Sequence, residues 1–304
     1  MLKVFEAFAG IGAQAAALRL VGVEHTVVGI SEIDKRAIKA YNLIHGDTPN
    51  FGDISKIDPS TLPSMDLFTY SFPCQDLSTA GLQRGITEET RSGLLWECKK
   101  IIDAKLPKYL VLENVPALVG KKHKADFDKW VAYLDSKGYN TYWKVLNAKD
   151  FGVPQSRKRV FAVSILKEHD NGTFAFTEQN VHVPFSLVKE NNASDYLYHI
   201  CPSMLKAITN GKCKVIKDDG NACCLTTKQQ RWNNGGFVTD TKGLRYLSGR
   251  EQMKLMGFLD SDYEKIKDMP ITQIDHLCGN SIVVTVLASV FSDMLRATVK
   301  KETA

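Results

Sequence analysis

The sequence reads as an α/β fold: a doubly wound, mainly parallel sheet covered by helices, with a smaller, loop-rich domain after it. Two observations predict this. Short apolar runs alternate with helical patterns from the first residues onward, as in a parallel sheet built of strand–helix units. After residue 166 the periodicity weakens, and Asn171-Gly172, Asn191-Asn192, Asn210-Gly211, Asp219-Gly220 and Asn234-Gly235-Gly236 cut the chain into short segments.

Taken in order, residues 4–8 predict a strand before a helix over 14–20, and 26–30 a strand before a helix over 35–44. Residues 67–72 precede a helical 94–102, and 109–112 precede 127–134; 142–146 and 160–165 then read as closing strands. Residues 282–295 resume a strong amphipathic pattern. The expected division is a large domain over 1–166, a small one over 167–270, and a C-terminal segment over 271–304.

With 304 residues and 44% hydrophobic content, the chain can bury a substantial core. Met1-Leu2-Lys3-Val4 runs directly into a strand pattern without a signal-peptide layout, and no apolar run approaches the ~18 residues of a membrane span. A cytoplasmic protein is expected. The seven cysteines, at 74, 98, 201, 213, 223, 224 and 278, form no CxxC pair, and their odd number suits reduced thiols better than a disulfide framework or structural zinc. Cys223 and Cys224 are expected as small buried apolar residues.

A net charge of +5 does not by itself identify a nucleic-acid binder. Its distribution says more. Between 206 and 245 the chain carries Lys206, Lys212, Lys214, Lys217, Lys228, Arg231, Lys242 and Arg245 against Asp218, Asp219 and Asp240. There Lys228, Gln229, Gln230, Arg231 and Asn233, with Trp232, offer the amide, guanidinium and aromatic groups that read or stack on bases.

The apolar run 66–72 ends in Pro73-Cys74-Gln75, which places a thiol at a strand tip, and the second strand over 108–112 ends in Glu113-Asn114-Val115. Ligand sites of open α/β sheets lie at the carboxyl ends of strands, so the two groups can meet. A thiol and a carboxyl together suit covalent attack on a conjugated heterocycle. Phe8-Ala9-Gly10-Ile11-Gly12 closes the first strand and opens a helix, where glycine permits a tight turn and close approach of a cofactor. Glu32 ends the second apolar run, where a carboxylate can accept the hydroxyls of a ribose. Arg157 and Arg159 alternate on a predicted strand and therefore point the same way.

These segments recur in a characteristic order. Residues 5–12, 71–75, Glu113-Asn114-Val115, Gln155-Ser156-Arg157-Lys158-Arg159, 245–258 and Gly279-Asn280-Ser281 together resemble the cytosine-C5 DNA methyltransferases along nearly the whole chain. Residues 69–78 and 90–97 look closest to the CpG-methylating bacterial enzymes of that family. The resemblance implies an S-adenosylmethionine-dependent, Rossmann-like catalytic domain to which the C-terminal segment returns, and a target-recognition segment over about 167–242. It implies double-stranded DNA as the partner of a monomer, with a cognate restriction endonuclease as a candidate companion.

By the same resemblance, Phe8 packs against the adenine of S-adenosylmethionine, Glu32 holds its ribose, and Asp53 and Ile54 meet the adenine edge. Pro73 and Leu94 line the pocket, and Ala9, Gly10, Ile11, Gly12, Asn280 and Ser281 complete it. Ile33 stands where an aromatic residue is common and keeps only apolar contact. Cys224 stands in place of a usual threonine, and Leu259 follows Phe258 where proline is usual.

Cytosine C5 is a poor nucleophile, so addition of Cys74 at C6 must first give it enamine character. Glu113 would donate to N3, Arg159 would approach O2, and Arg157 and Gln155 would support the site or the phosphate backbone. Asn114 would fix the loop carrying Cys74 and Gln75. The base must be flipped out of the duplex, and residues 76–91, with Ser78, Gly81 and Gly85, suit a cover that closes over it. An RNA-directed relative would keep Cys74 and Glu113, and a non-catalytic DNA-binding regulator is a third class. The basic interval favours DNA, and the intact catalytic motifs favour an enzyme.

Overall fold

The first strand, β1 (Leu2–Ala7), buries its last four residues, and a left-handed turn leads into α1 (Ala13–Val21), whose alanine-rich face is wholly covered. β2 (His25–Ser31) and α2 (Lys35–His45) repeat the unit, α2 starting where the Asp34 carboxylate accepts from Arg36 N. β3 (Leu67–Tyr70), α3 (Leu95–Lys105), β4 (Tyr109–Asn114) and α4 (Lys124–Ser136) follow, and β5 (Tyr139–Asn147) and β6 (Lys158–Leu166) end the sheet. This computed structural model describes residues 1–73, 91–191, 193–229, 231, 234 and 236–298.

The six strands run in the order β2-β1-β3-β4-β6-β5. β2, β1, β3 and β4 are parallel, and β6 is antiparallel to both neighbours. The direction of winding reverses between β1 and β3, which is where such a sheet opens a crevice for ligand. One expected boundary moves: β3 stops pairing at Tyr70, so Ser71 and Phe72 continue beyond the sheet toward the crevice.

Helices cover both faces. On one, Val4, Leu67, Val111 and Phe161 pack with α1, α2 and the C-terminal helix; on the other, Phe5, Phe68, Leu110 and Val160 pack with Ile101 of α3 and Phe127 and Trp130 of α4. Beyond residue 166 the elements are short: α5 (Pro202–Thr209) and a three-stranded sheet of β7 (Val215–Ile216), β8 (Phe237–Asp240) and β9 (Gly243–Tyr246). α6 (Gly249–Leu255), α7 (Asp260–Ile266), α8 (Ile271–Asn280) and α9 (Val284–Arg296) follow, and α9 returns to pack on α1. The segment Ile271–Arg296 has the length and composition of a membrane span, but 72% of its apolar window is buried inside the molecule. Core packing accounts for its apolarity.

Three side chains overturn sequence expectations. Arg245 is fully buried, with Asp240 Oδ2 2.6 Å from its Nε and both Glu251 oxygens 2.8 Å from its terminal nitrogens, so it holds β9 to α6 and adds nothing to a basic surface. Cys223 is exposed and Cys224 half-buried, so neither is an inert core residue.

Candidate active site

Parallel strands deliver their following loops to one edge, and here those loops enclose a cavity of about 320 Å³. Phe8, Ala9 and Gly10 enter it from β1, Glu32 and Ile33 from β2, Phe72 and Pro73 from β3, and Glu113 and Asn114 from β4. Arg157 and Arg159 come from the start of β6, and Gly279, Asn280, Ser281 and Ile282 from the junction of α8 and α9. Residues spread over most of the chain thus share one wall.

At the β1–β2 end the backbone turns sharply. Phe8 has φ 56°, uncommon for a residue with a Cβ, and Gly10 and Gly12 have φ 57° and 73°. Glu32 fastens this turn: Oε2 accepts from Gly10 N at 2.8 Å, and Oε1 from Ile33 N at 2.8 Å and Asp34 N at 2.9 Å. A carboxylate has about four acceptor positions, which leaves one for a ligand hydroxyl. Asp53 caps a one-turn helix by accepting from Ser55 N and Oγ, contacts that lower its pKa. Ile33 is 69% exposed on the rim, an apolar surface suited to being covered by a flat ring.

Ile54, Leu94, Asn280 and Ser281 also line the cavity, whereas Ile11 and Gly12 do not. The turn directs Ile11 into the core, 1% exposed, and a Cβ on Gly12 would lie 2.4 Å from His45 Nε2. Gly12 serves helix packing. Beneath the turn, Glu6 is completely buried, and burial raises its pKa to about 8 against the opposing pull of the Tyr41 hydroxyl and the Ala15 backbone.

At the other end, Glu113 is 8% exposed and faces Arg159, whose Nε lies 3.2 Å from Oε1. Burial lifts the Glu113 carboxyl above the ordinary carboxylate range, and the guanidinium groups of Arg159 and Arg157 oppose that rise without cancelling it. Asn114 donates from Nδ2 to Phe72 O at 3.0 Å and accepts from Val115 N at 2.8 Å, tying the end of β4 to the residue before Pro73. Cys74, Gln75 and Ser78 lie outside the described residues, as do Gln230 and Asn233.

Arg157 precedes β6 and Arg159 lies on it, yet both reach the same sulfur: Cys224 Sγ is 3.3 Å from Arg157 and 3.9 Å from Arg159. Arg157, 3% exposed, also donates to Leu225 O, Gly279 O and Ser281 O, joining the segment around Leu225 and the C-terminal helices to the sheet. Its place is structural support.

Gln155 is not positioned to meet DNA. It is fully buried, donates to Leu255 O at 2.7 Å, and accepts from Leu225 N at 2.9 Å. Gln229 is 3% exposed and donates to Thr226 O, so it holds its own loop together. Both amides found backbone partners inside the protein. Lys228 and Arg231 are exposed. Sequence reasoning also passed over Gln14, Ser31, Val115 and Gly279 on the cavity wall. Val115 and Gly279 carried a local signal, in their motifs with Glu113-Asn114 and Asn280-Ser281, and a Cβ on Gly279 would lie 2.2 Å from Thr226 C.

The cavity's size and donor set fit a nucleoside-bearing ligand: a free acceptor on Glu32, an apolar rim at Phe8 and Ile33, and polar backbone at Asn280 and Ser281. Comparison with known proteins agrees. The model of the C-5 cytosine-specific DNA methylase family matches residues 2–200 and 187–296. The type II methyltransferase M2.ScrFI of Lactococcus lactis subsp. cremoris is 37% identical over 98% of this chain and 100% of its own. The orphan methyltransferase M.SssI of Spiroplasma monobiae is 30% identical over 95% of this chain and 96% of its own. Among solved structures, the Entamoeba histolytica methyltransferase EhMeth superposes with a TM-score of 0.84 at 20% identity, over 97% of this chain and 98% of its own. That likeness shows the Rossmann-like methyltransferase fold. Given a full-length family match on top of a shared wall that joins Glu32, Glu113 and Arg159, the chain belongs to the C-5 cytosine-specific DNA methylases and is a DNA cytosine-5-methyltransferase.

Proposed function

We propose that this enzyme moves the methyl group of S-adenosylmethionine to C5 of a cytosine flipped out of a short, specific sequence in duplex DNA, by way of a covalent bond between Cys74 and C6. One observation carries the reading: the Glu113–Arg159 pair closes one end of the cavity whose other end is formed by Phe8, Glu32 and Asp53. A ring bound at the first end lies beside a donor held at the second.

S-adenosylmethionine supplies an electrophilic methyl group. Glu32 would accept a ribose hydroxyl, Phe8 and Ile33 would cover the adenine, Asp53 and Ile54 would meet its edge, and Pro73, Leu94, Asn280 and Ser281 would complete the pocket. The Cys74 sulfur adds to C6 while Glu113 gives its proton to N3 and Arg159 holds the charge that grows on O2. The electron pair released to C5 would then bond to the methyl carbon as its bond to the sulfonium sulfur breaks, with S-adenosylhomocysteine as the leaving product. A water removes the C5 proton, the thiolate leaves, and the N3 proton returns to Glu113. Burial favours this chemistry, because a carboxyl held above its ordinary pKa keeps a proton to give. We further assign residues 167–270 to target recognition, with 271–304 returning to the catalytic unit.

Transfer of a labelled methyl group to DNA and to tRNA tests the reading. DNA is expected to be labelled, Cys74→Ser to abolish labelling, and wild type to be trapped covalently on DNA carrying 5-fluorocytosine at the target. Normal labelling by the serine variant would remove Cys74 as nucleophile. Bisulfite sequencing of DNA from expressing cells would name the target.

A further inference from the structure

The described core residues of the recognition segment lie on one face of the sheet. Its residues Ile216, Leu225 and Val238 join the core on the α1/α9 face of the sheet. On the opposite face, at the same substrate-facing edge, two separate segments carry exposed lysines. Lys121 and Lys122 are exposed just after the one-turn helix Pro116–Val119, which follows β4 and packs on β6. Lys158 opens β6. Because Asn114 pairs with Val160, Lys158 extends past the end of β4, and strand alternation puts its side chain on the face of Val160, toward α4, away from Arg159.

The charges here are distributed unevenly. Lys124, Lys129 and Lys144 pair with Asp128, Asp126 and Glu178, whereas Lys121 and Lys158 meet no carboxylate among the described residues. Trp143, 40% exposed, shares this pleat face through its register with Ala162, and Lys124 Nζ sits 5.5 Å from its ring. An exposed lysine alone is ordinary solvated surface. Lys121 and Lys158, unneutralised and drawn from two segments, stand at the cavity's edge of the sheet on the face opposite the recognition segment's core residues, which suits backbone contact.

We propose that Lys121, Lys122 and Lys158 form a second DNA surface that grips backbone phosphates beside the target, across the cavity from the recognition segment. The proposal rests on duplex DNA being the substrate. The surface positions the duplex without reading sequence, because phosphates carry no base identity.

The test replaces all three lysines by glutamine and measures DNA affinity across a range of salt concentrations, together with cofactor affinity and bisulfite profiles. The plot of log affinity against log salt should flatten by about 2.7, at roughly 0.9 for each phosphate no longer neutralised. Affinity should fall alike on all sequences, with the preferred site and cofactor affinity unchanged. The single variant Lys158→Gln, which should flatten the slope by about 0.9, provides a second reading if the triple variant folds poorly. An unchanged slope in an enzyme whose wild type methylates DNA overturns the surface, and a changed preferred site overturns its assignment to phosphate. A wild type that labels no DNA overturns the substrate reading instead.

Discussion

Arg159 Nε stands 3.2 Å from Glu113 Oε1 across the antiparallel β4–β6 pair, in a site where Glu113 is 8% exposed. The two groups are adjusted against each other. Burial alone would favour the neutral carboxyl strongly, and the guanidinium draws it back toward the range in which the proton can be exchanged with a bound ring.

Glu113→Gln should therefore lower kcat by about 100- to 10,000-fold while leaving cofactor affinity intact. In wild type, turnover should fall as pH rises through the raised Glu113 pKa, because the group must enter the reaction protonated. Removing the opposing charge by Arg159→Gln should move that alkaline limb to higher pH, besides lowering kcat. A limb that stays in place would mean that a different group sets it.

Glu32 fastens the turn and, in the proposed reading, also holds the ligand. Glu32→Ala frees Gly10 N and removes this carboxylate from the pocket wall. Calorimetric titration should show S-adenosylmethionine binding weakened by about ten- to a hundredfold, with DNA affinity unchanged. An unaltered cofactor dissociation constant would exclude Glu32 from the donor site.

Gly279 lies where two backbones nearly touch. Gly279→Ala would set a Cβ 2.2 Å from Thr226 C and push apart the carbonyls that Arg157 holds. Thermal or urea unfolding should show a loss of about 1–3 kcal/mol, the usual cost of overpacking. Stability equal to wild type would show that the contact relaxes freely.

Glu6 links stability to pH. Its native pKa of about 8 lies above the ordinary 4.5, so the folded state binds the proton more tightly than the unfolded chain does. The stability this provides is fully present below about pH 4.5 and is lost as pH rises through about 8. Glu6→Gln keeps the shape without the charge. Its melting temperature should gain on wild type between about pH 5 and pH 8.5, as read by circular dichroism. A difference independent of pH would show that Glu6 is not the titrating group.

Much of this enzyme could be read from local pattern. The alternation of apolar runs and helical stretches predicted the first six strands and their helices, and residue positions such as Glu32, Glu113 and Arg159 predicted a shared edge. Both follow from the same geometry: parallel strands send the residues that follow them to one side of the sheet, so motifs far apart in sequence converge without any knowledge of packing. The boundaries of β3 moved because pairing with neighbours, not apolarity, ends a strand.

What the sequence by itself determined is the order of elements and the sheet edge to which its motifs converge. The tertiary structure alone decided what the polar residues do once there. Gln155, Gln229 and Arg245 look like surface groups in a basic, amide-rich stretch, yet all three are buried on backbone or carboxylate partners. Cys224, expected in the core, rests between two guanidinium groups. A polar side chain is buried or exposed according to whether long-range partners satisfy it, and those partners lie tens of residues away in sequence: Gln155 with Leu255, Arg157 with Ser281. No local period records such a pairing.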